Sequence, residues 1–123
     1  MLKFTLLHRL FFRHPFLHVF HTRYGDAPER ILLSTLNVTG SEENWQYITE
    51  EEEILRPELE WEGANLDLIE SKQGPSKKQA NQFRDPFVYT EIDDLTGREE
   101  IYLYYVGGGE SGVGVAKLEN TTE

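Results

Sequence analysis

Two carboxylates in the last third of the chain, Asp85 and Glu110, are the side chains best placed to do chemistry together. Asp85 sits in Arg84-Asp85-Pro86, at the head of an apolar stretch. Glu110 sits in Gly107-Gly108-Gly109-Glu110-Ser111-Gly112, between two further apolar stretches. In an antiparallel meander the chain reverses at every turn. The start of the first strand and the turn between the second and third therefore lie at the same end. That places Asp85 and Glu110 together. Two carboxyl groups held together can act as acid and as base or nucleophile.

The elements that would hold them read as strands. Residues 86–90, 100–106 and 113–118 are rich in Val, Ile and Tyr, and Asp93-Asp94-Leu95-Thr96-Gly97 between the first two is a hairpin turn. Gly114 in the last strand leaves room for a close neighbour. Residues 16–22 form an earlier strand, with His18 and Phe20 on one face and Leu17, Val19 and His21 on the other. The cluster Tyr24-Gly25-Asp26-Ala27-Pro28 turns the chain into a strand at 31–38. Residues 45–48 make another strand, and 52–57 a short apolar piece. Residues 57–83 have no steady period and carry Gly63, Gly74 and Pro75. They predict a long connection whose most polar part, 71–82, is mobile. The layout strand, Gly-and-acid turn, strand, Asn at 17–37 recurs at 102–120. Such repeats suit a β-propeller, although a small sandwich or an open sheet fits the pattern equally.

Bulk properties narrow the choice of function. A net charge of −10 argues against nucleic acid and against an anionic membrane surface. With no cysteine there is no disulfide, thiolate nucleophile or cysteine-zinc site. His14, His18 and His21 do not share one strand face, so no metal is expected from them. Gly107-Gly108-Gly109 lacks the Lys-Ser/Thr that a phosphate loop needs. No cofactor is expected. The acidic run at 50–53 reads as a solvated edge, and the aromatics Trp45, Trp61, Tyr102, Tyr104 and Tyr105 as packing residues or sugar-stacking platforms. His8 and Arg9 interrupt the apolar N-terminal run, which therefore does not read as a signal peptide; the reading leans to the cytoplasm.

Five segments taken in order carry a family resemblance. They are Gly25-Asp26-Ala27-Pro28-Glu29-Arg30-Ile31-Leu32, Leu55-Arg56-Pro57-Glu58, Trp61-Glu62-Gly63-Ala64-Asn65, Phe83-Arg84-Asp85-Pro86 and Gly109-Glu110-Ser111-Gly112-Val113-Gly114-Val115-Ala116. The set resembles the C-terminal blades of five-bladed β-propeller proteins of the furanosidase-type glycosyl hydrolase group, which includes arabinanases and invertases. The resemblance covers about residues 17–118. It implies an all-β chain, a partial β-propeller of about two blades built from antiparallel meanders. Residues 1–16 are atypical of the group, with Arg13-His14-Pro15 a remnant of an inner strand. Residues 17–55 supply strands of one blade, 56–83 a connecting loop and 84–118 strands of the next.

Mapped onto that fold, Arg23, Asp26 and Glu29 occupy the turn equivalent to the one carrying Glu110. With Arg84, Asp85 and Ser111 they face the axial pocket. The resemblance implies Asp85 and Glu110 as catalytic candidates, and Arg23, Asp26, Glu29, Arg84 and Ser111 as substrate-binding ones. The guanidinium of Arg84 or Arg23 would hold a sugar hydroxyl or keep a neighbouring carboxylate ionised. An Arg84–Asp85 bridge between blades is the structural alternative. Catalytic acids of the resembling enzymes come mainly from early blades without counterpart here. The expectation is a carbohydrate-active protein of glycosyl-hydrolase type, an incomplete unit with little or no activity. The alternatives are a non-catalytic carbohydrate-binding or interaction module, or a truncated reading frame without independent function. The exposed edge left by truncation predicts self-association or a partner chain that completes the propeller.

Overall fold

The computed structural model describes residues 9–13 and 15–119. The signal-peptide-like run at residues 1–8 and His14 of the histidine cluster lie outside them. The chain is all-β: the described residues form seven strands in two antiparallel meanders, with two short 3-10 turns. Strands β1 (Arg9–Arg13), β2 (Phe16–His21), β3 (Ile31–Asn37) and β4 (Gln46–Leu55) form a four-stranded sheet in that order. Strands β5 (Phe83–Ile92), β6 (Glu99–Gly107) and β7 (Gly112–Leu118) form a three-stranded one. Among the described residues no helix is long and apolar enough to cross a membrane.

Period-two alternation builds β6. Ile101, Leu103 and Tyr105 point inward and are buried, while Tyr102, Tyr104 and Val106 point outward. Leu103 and Tyr105 of that row join Phe20, Ile31 and Phe83 in one core shared by both sheets, with Leu33, Ile54, Leu55, Val88, Ala116 and Leu118 packed around it. The Phe83 and Tyr105 rings lie 4.4 Å apart between centroids, tilted by 37°. A backbone hydrogen bond from Phe83 N–H to the Glu29 carbonyl, 2.8 Å, ties the second sheet to the β2–β3 turn. Tyr105 pairs with Gly114 across β6 and β7. A Cβ at position 114 would stand 2.6 Å from the Tyr105 ring, which is why the strand carries glycine there.

Four features depart from the sequence reading. Residues 9–13 pair with β2 as a full sheet neighbour, Leu10 opposite Val19, so part of the atypical N-terminal segment belongs to the first sheet. The pieces at 45–48 and 52–57 are one strand, β4, kept continuous by a bulge at Glu51 (φ 55°). The acidic run is not merely a solvated edge: Arg23 meets Glu51 at 2.6 Å, and Glu53 takes Arg30 at 2.6 Å and Arg56 at 2.6 Å. Finally, the polar segment 71–82 is tied down where mobility was predicted. Ser71, Asn81 and Gln82 are buried, Ser71 N–H donates to the Asp26 carbonyl at 3.1 Å, and Ala80 N–H to the Gly108 carbonyl at 3.2 Å. Backbone hydrogen bonds at its two ends hold the segment, while the side chains of most residues between stay exposed.

The Trp61-Glu62-Gly63 segment is part of the frame. A Cβ on Gly107 or Gly112 would fall 3.2 Å or 3.0 Å from the Trp61 ring, so two glycines let the indole lie on the strand ends. Glu62 Oε1 accepts the Glu58 and Leu59 N–H groups at 2.8 Å and 3.0 Å, and its Oε2 accepts the Tyr105 hydroxyl at 3.4 Å. Burial and the Glu62 charge together push the Tyr105 phenol above its ordinary pKa.

Candidate functional site

The site forms where the β2–β3 turn, the start of β5 and the β6–β7 turn converge. Arg84 and Asp85 are neighbours in β5, yet they face different surroundings. The β5–β6 register shifts between Arg84 and Phe87, and Asp85 takes the left-handed conformation, φ 52°. This bulge at Asp85-Pro86 leaves Arg84 buried and turns Asp85 out to solvent. Asp is among the few residues that adopt this conformation readily, and such strain tends to sit where a side chain must be aimed.

Arg84 lies in the floor. Its Nε donates to Glu29 Oε1 at 3.1 Å, its Nη1 to the Gly74 carbonyl at 2.6 Å and its Nη2 to the Lys72 carbonyl at 2.9 Å. Glu29 is 1% exposed, and its other oxygen accepts the Thr22 hydroxyl at 2.6 Å. Burial pushes the Glu29 carboxyl above its ordinary pKa; hydrogen bonds from Thr22 and Ser71 and the Arg84 guanidinium oppose the shift. The pair therefore bridges the two sheets. The sequence reading gave that bridging role to an Arg84–Asp85 pair, and the bulge prevents it by separating the two side chains.

Glu110 stands at the rim. The β6–β7 turn is held by Gly108 (φ 66°) and Gly109 (φ 76°), and Glu110 Oε2 accepts the Ser76 N–H at 2.8 Å. Its Oε1 is 4.0 Å from Arg84 Nη1. Residues 72–76 thus run as a strap across the site, held at one end by Arg84 and at the other by Glu110. The carbonyls of Lys72 and Gly74 take up the guanidinium donors that a sugar hydroxyl would use.

A pocket of about 140 Å³ opens between these parts, lined by Tyr24, Glu29, Gly74, Arg84, Asp85 and Glu110. It thus brings together four of the seven residues singled out in the sequence. The other three are placed elsewhere. Arg23 and Asp26 bind each other at 3.1 Å and continue into a charge ladder with Glu51, Arg30 and Glu53 along β4. Ser111 turns its hydroxyl back onto the Gly107 and Gly108 carbonyls at 3.3 Å and 3.0 Å. Tyr24 and Gly74 were read only as turn and loop residues; nothing in their local pattern marks them as pocket walls.

Two histidine–hydroxyl contacts lie in the first sheet. His21, buried beneath the β2–β3 turn, has its Nε2 3.1 Å from the Ser34 hydroxyl. Burial first, then the nearby Arg23 charge, lowers its pKa to about 4, against a smaller opposing pull from Asp26. His18, on the opposite face, lies 3.2 Å from the Thr35 hydroxyl through Nδ1. The two imidazoles therefore serve separate faces of the first sheet.

A curated relative matches. The chain is 39% identical over 108 residues to the uncharacterized protein R118 of Acanthamoeba polyphaga mimivirus. The match covers 88% of this chain and 29% of that protein, so the chain spans less than a third of its relative's length. No protein-family model matches the sequence, and no solved structure matches the fold.

Proposed function

We propose that the chain forms part of a β-propeller of the furanosidase-type glycosyl hydrolase group, and that its pocket binds a carbohydrate ring without hydrolysing it. The observation that carries this reading is the convergence of Glu29, Arg84, Asp85 and Glu110, drawn from three separate segments, on one pocket. A four-stranded meander followed by a second meander whose first strand packs on the first sheet supports the propeller architecture.

Three features favour binding over turnover. At about 140 Å³ the pocket is well below the ~300 Å³ at which ligand clefts begin, so it has room for one ring edge rather than for both sides of a scissile bond. Glu29, the acid whose pKa is raised, has both oxygens engaged below the surface. Glu110 is occupied in holding the strap at Ser76. Asp85 is left as the exposed acceptor, suited to a pair of sugar hydroxyls. A partner chain, or a second copy, that covers the open sheet face belongs to the same proposal.

The test is the purified chain against a panel of furanosides and pyranosides, read by calorimetry for binding and by reducing-sugar release for turnover. Binding without release, weakened in Asp85→Asn, is the expected result. Release abolished by Asp85→Asn or Glu110→Gln would make the protein an enzyme. A panel without a single binder would sink the carbohydrate reading.

A further inference from the structure

The three sheet edges whose side chains are described differ in how they discourage pairing with another chain. β4 carries the Glu50–Glu53 acids and the Glu51 bulge. β5 carries Pro86 and the Asp85 bulge. Both are standard ways of blunting an edge. β7 has neither. It pairs with β6 in unbroken register from Gly112 to Leu118, and among the described residues no strand lies on its other side. Its one charge, Lys117, is already held by Glu100 at 2.8 Å. Val113 and Val115 are 71% and 53% exposed.

We infer that β7 is a dimerisation edge, and that its occupant is β7 of a second copy of this chain, antiparallel across a two-fold axis at Val115. Three observations select this partner and this register. Val115 is the midpoint of the strand, so an axis there lets all seven residues of Gly112–Leu118 pair. The same axis sets each Lys117 opposite Val113 of the other copy, so the two ammonium groups stay apart and each aliphatic stem covers a valine; an axis at Lys117 would oppose like charges. Last, Val115 lies beside Tyr104, which lies beside Phe87. These side chains form an outward row in which Phe87 and Tyr104 are 41% and 38% exposed. Pairing at Val115 continues the row through the axis into the same three residues of the second copy, and the two three-stranded sheets become one of six strands. The inference stands apart from the carbohydrate reading, since no pocket residue lies on β7.

Sedimentation velocity on the full chain, with two variants, tests it. The wild-type protein is expected at twice 14.3 kDa in the tens-of-micromolar range. Val115→Lys and Val115→Glu each place like charges across the axis at an exposed position, so each is expected as a folded monomer by circular dichroism. Mixed in equal amounts, they are expected to restore the dimer. Within residues 113–117, the amides that face away from β6 are expected to exchange slowly in the wild type and in the mixture, and fast in either variant alone. A wild-type monomer at those concentrations, a dimer that survives both substitutions, or a mixture that stays monomeric would overturn the assignment.

Discussion

Replacing Arg84 by Met tests whether the two sheets are held together by the buried pair in the pocket floor. Methionine keeps the length and apolar stem of arginine but removes every donor. Three contacts go at once: Glu29 at 3.1 Å and the Gly74 and Lys72 carbonyls at 2.6 Å and 2.9 Å. What remains is a carboxylate only 1% exposed, left with its Thr22 and Ser71 hydrogen bonds but without its counter-charge. Removing one partner of a buried pair costs about 3–5 kcal/mol, mostly as the penalty of the stranded charge. With a urea slope of about 1–3 kcal/mol/M, the unfolding midpoint should fall by at least about 1 M, followed by the fluorescence of Trp45 and Trp61. The loss also has a pH signature. The Glu29 carboxyl is already raised by burial. A raised folded pKa means that the group's favourable contribution is complete below the unfolded value near 4.5 and disappears as pH rises through the folded value. Without Arg84 the folded value rises further. The difference between wild type and variant should therefore be largest at neutral pH and shrink toward pH 4.5. A midpoint change within about 0.3 M, or a difference independent of pH, would mean that the pair contributes no more than a surface ion pair and that the bridge argument is wrong.

Two further outcomes follow from the same geometry. His21 is neutral in the fold with a pKa of about 4 against an ordinary 6.5, so its contribution is present above pH 6.5 and is lost as pH falls through about 4. A depression of that size corresponds to about 3 kcal/mol. His21→Gln should flatten the acid limb of the stability curve, and a wild-type imidazole titrating near 6.5 by NMR would refute the assignment. Asp85→Gly keeps the left-handed conformation at φ 52° available, so the relief of strain and the extra chain entropy of glycine should leave stability within about 1 kcal/mol, while sugar affinity falls. A loss well beyond that would show that the Asp85 side chain supports the fold instead of the pocket.

The legible parts of this fold were those written in local alternation. Ile101, Leu103 and Tyr105 against Tyr102, Tyr104 and Val106 announce β6 outright, and Asp93 to Gly97 announces the turn before it. β4 was hidden because its middle is four consecutive glutamates, a composition that disfavours strands in isolation. Arg23, Arg30 and Arg56 make that strand tenable by pairing with Glu51 and Glu53; Arg56 is a near neighbour, but Arg23 and Arg30 are more than twenty residues away in sequence. The pocket was legible in part for a similar reason. Strand parity brings Asp85 and Glu110 to one end without knowledge of side chains. Parity cannot tell that Glu29 turns inward to Arg84 while Asp26, three residues earlier, turns outward to Arg23 and Arg30. Nor can it show that the polar strap at 72–76 would close over the floor.

The most direct test of the account is a nitrogen-15 correlation spectrum of the chain titrated with the sugar panel into the tens-of-millimolar range. The account predicts that at least one sugar shifts the amides of Tyr24, Gly74, Asp85 and Glu110 together, with no sugar cleaved over the titration. Shifts confined to residues away from those four, or no shift with any sugar, would contradict a carbohydrate pocket at the junction of the two sheets.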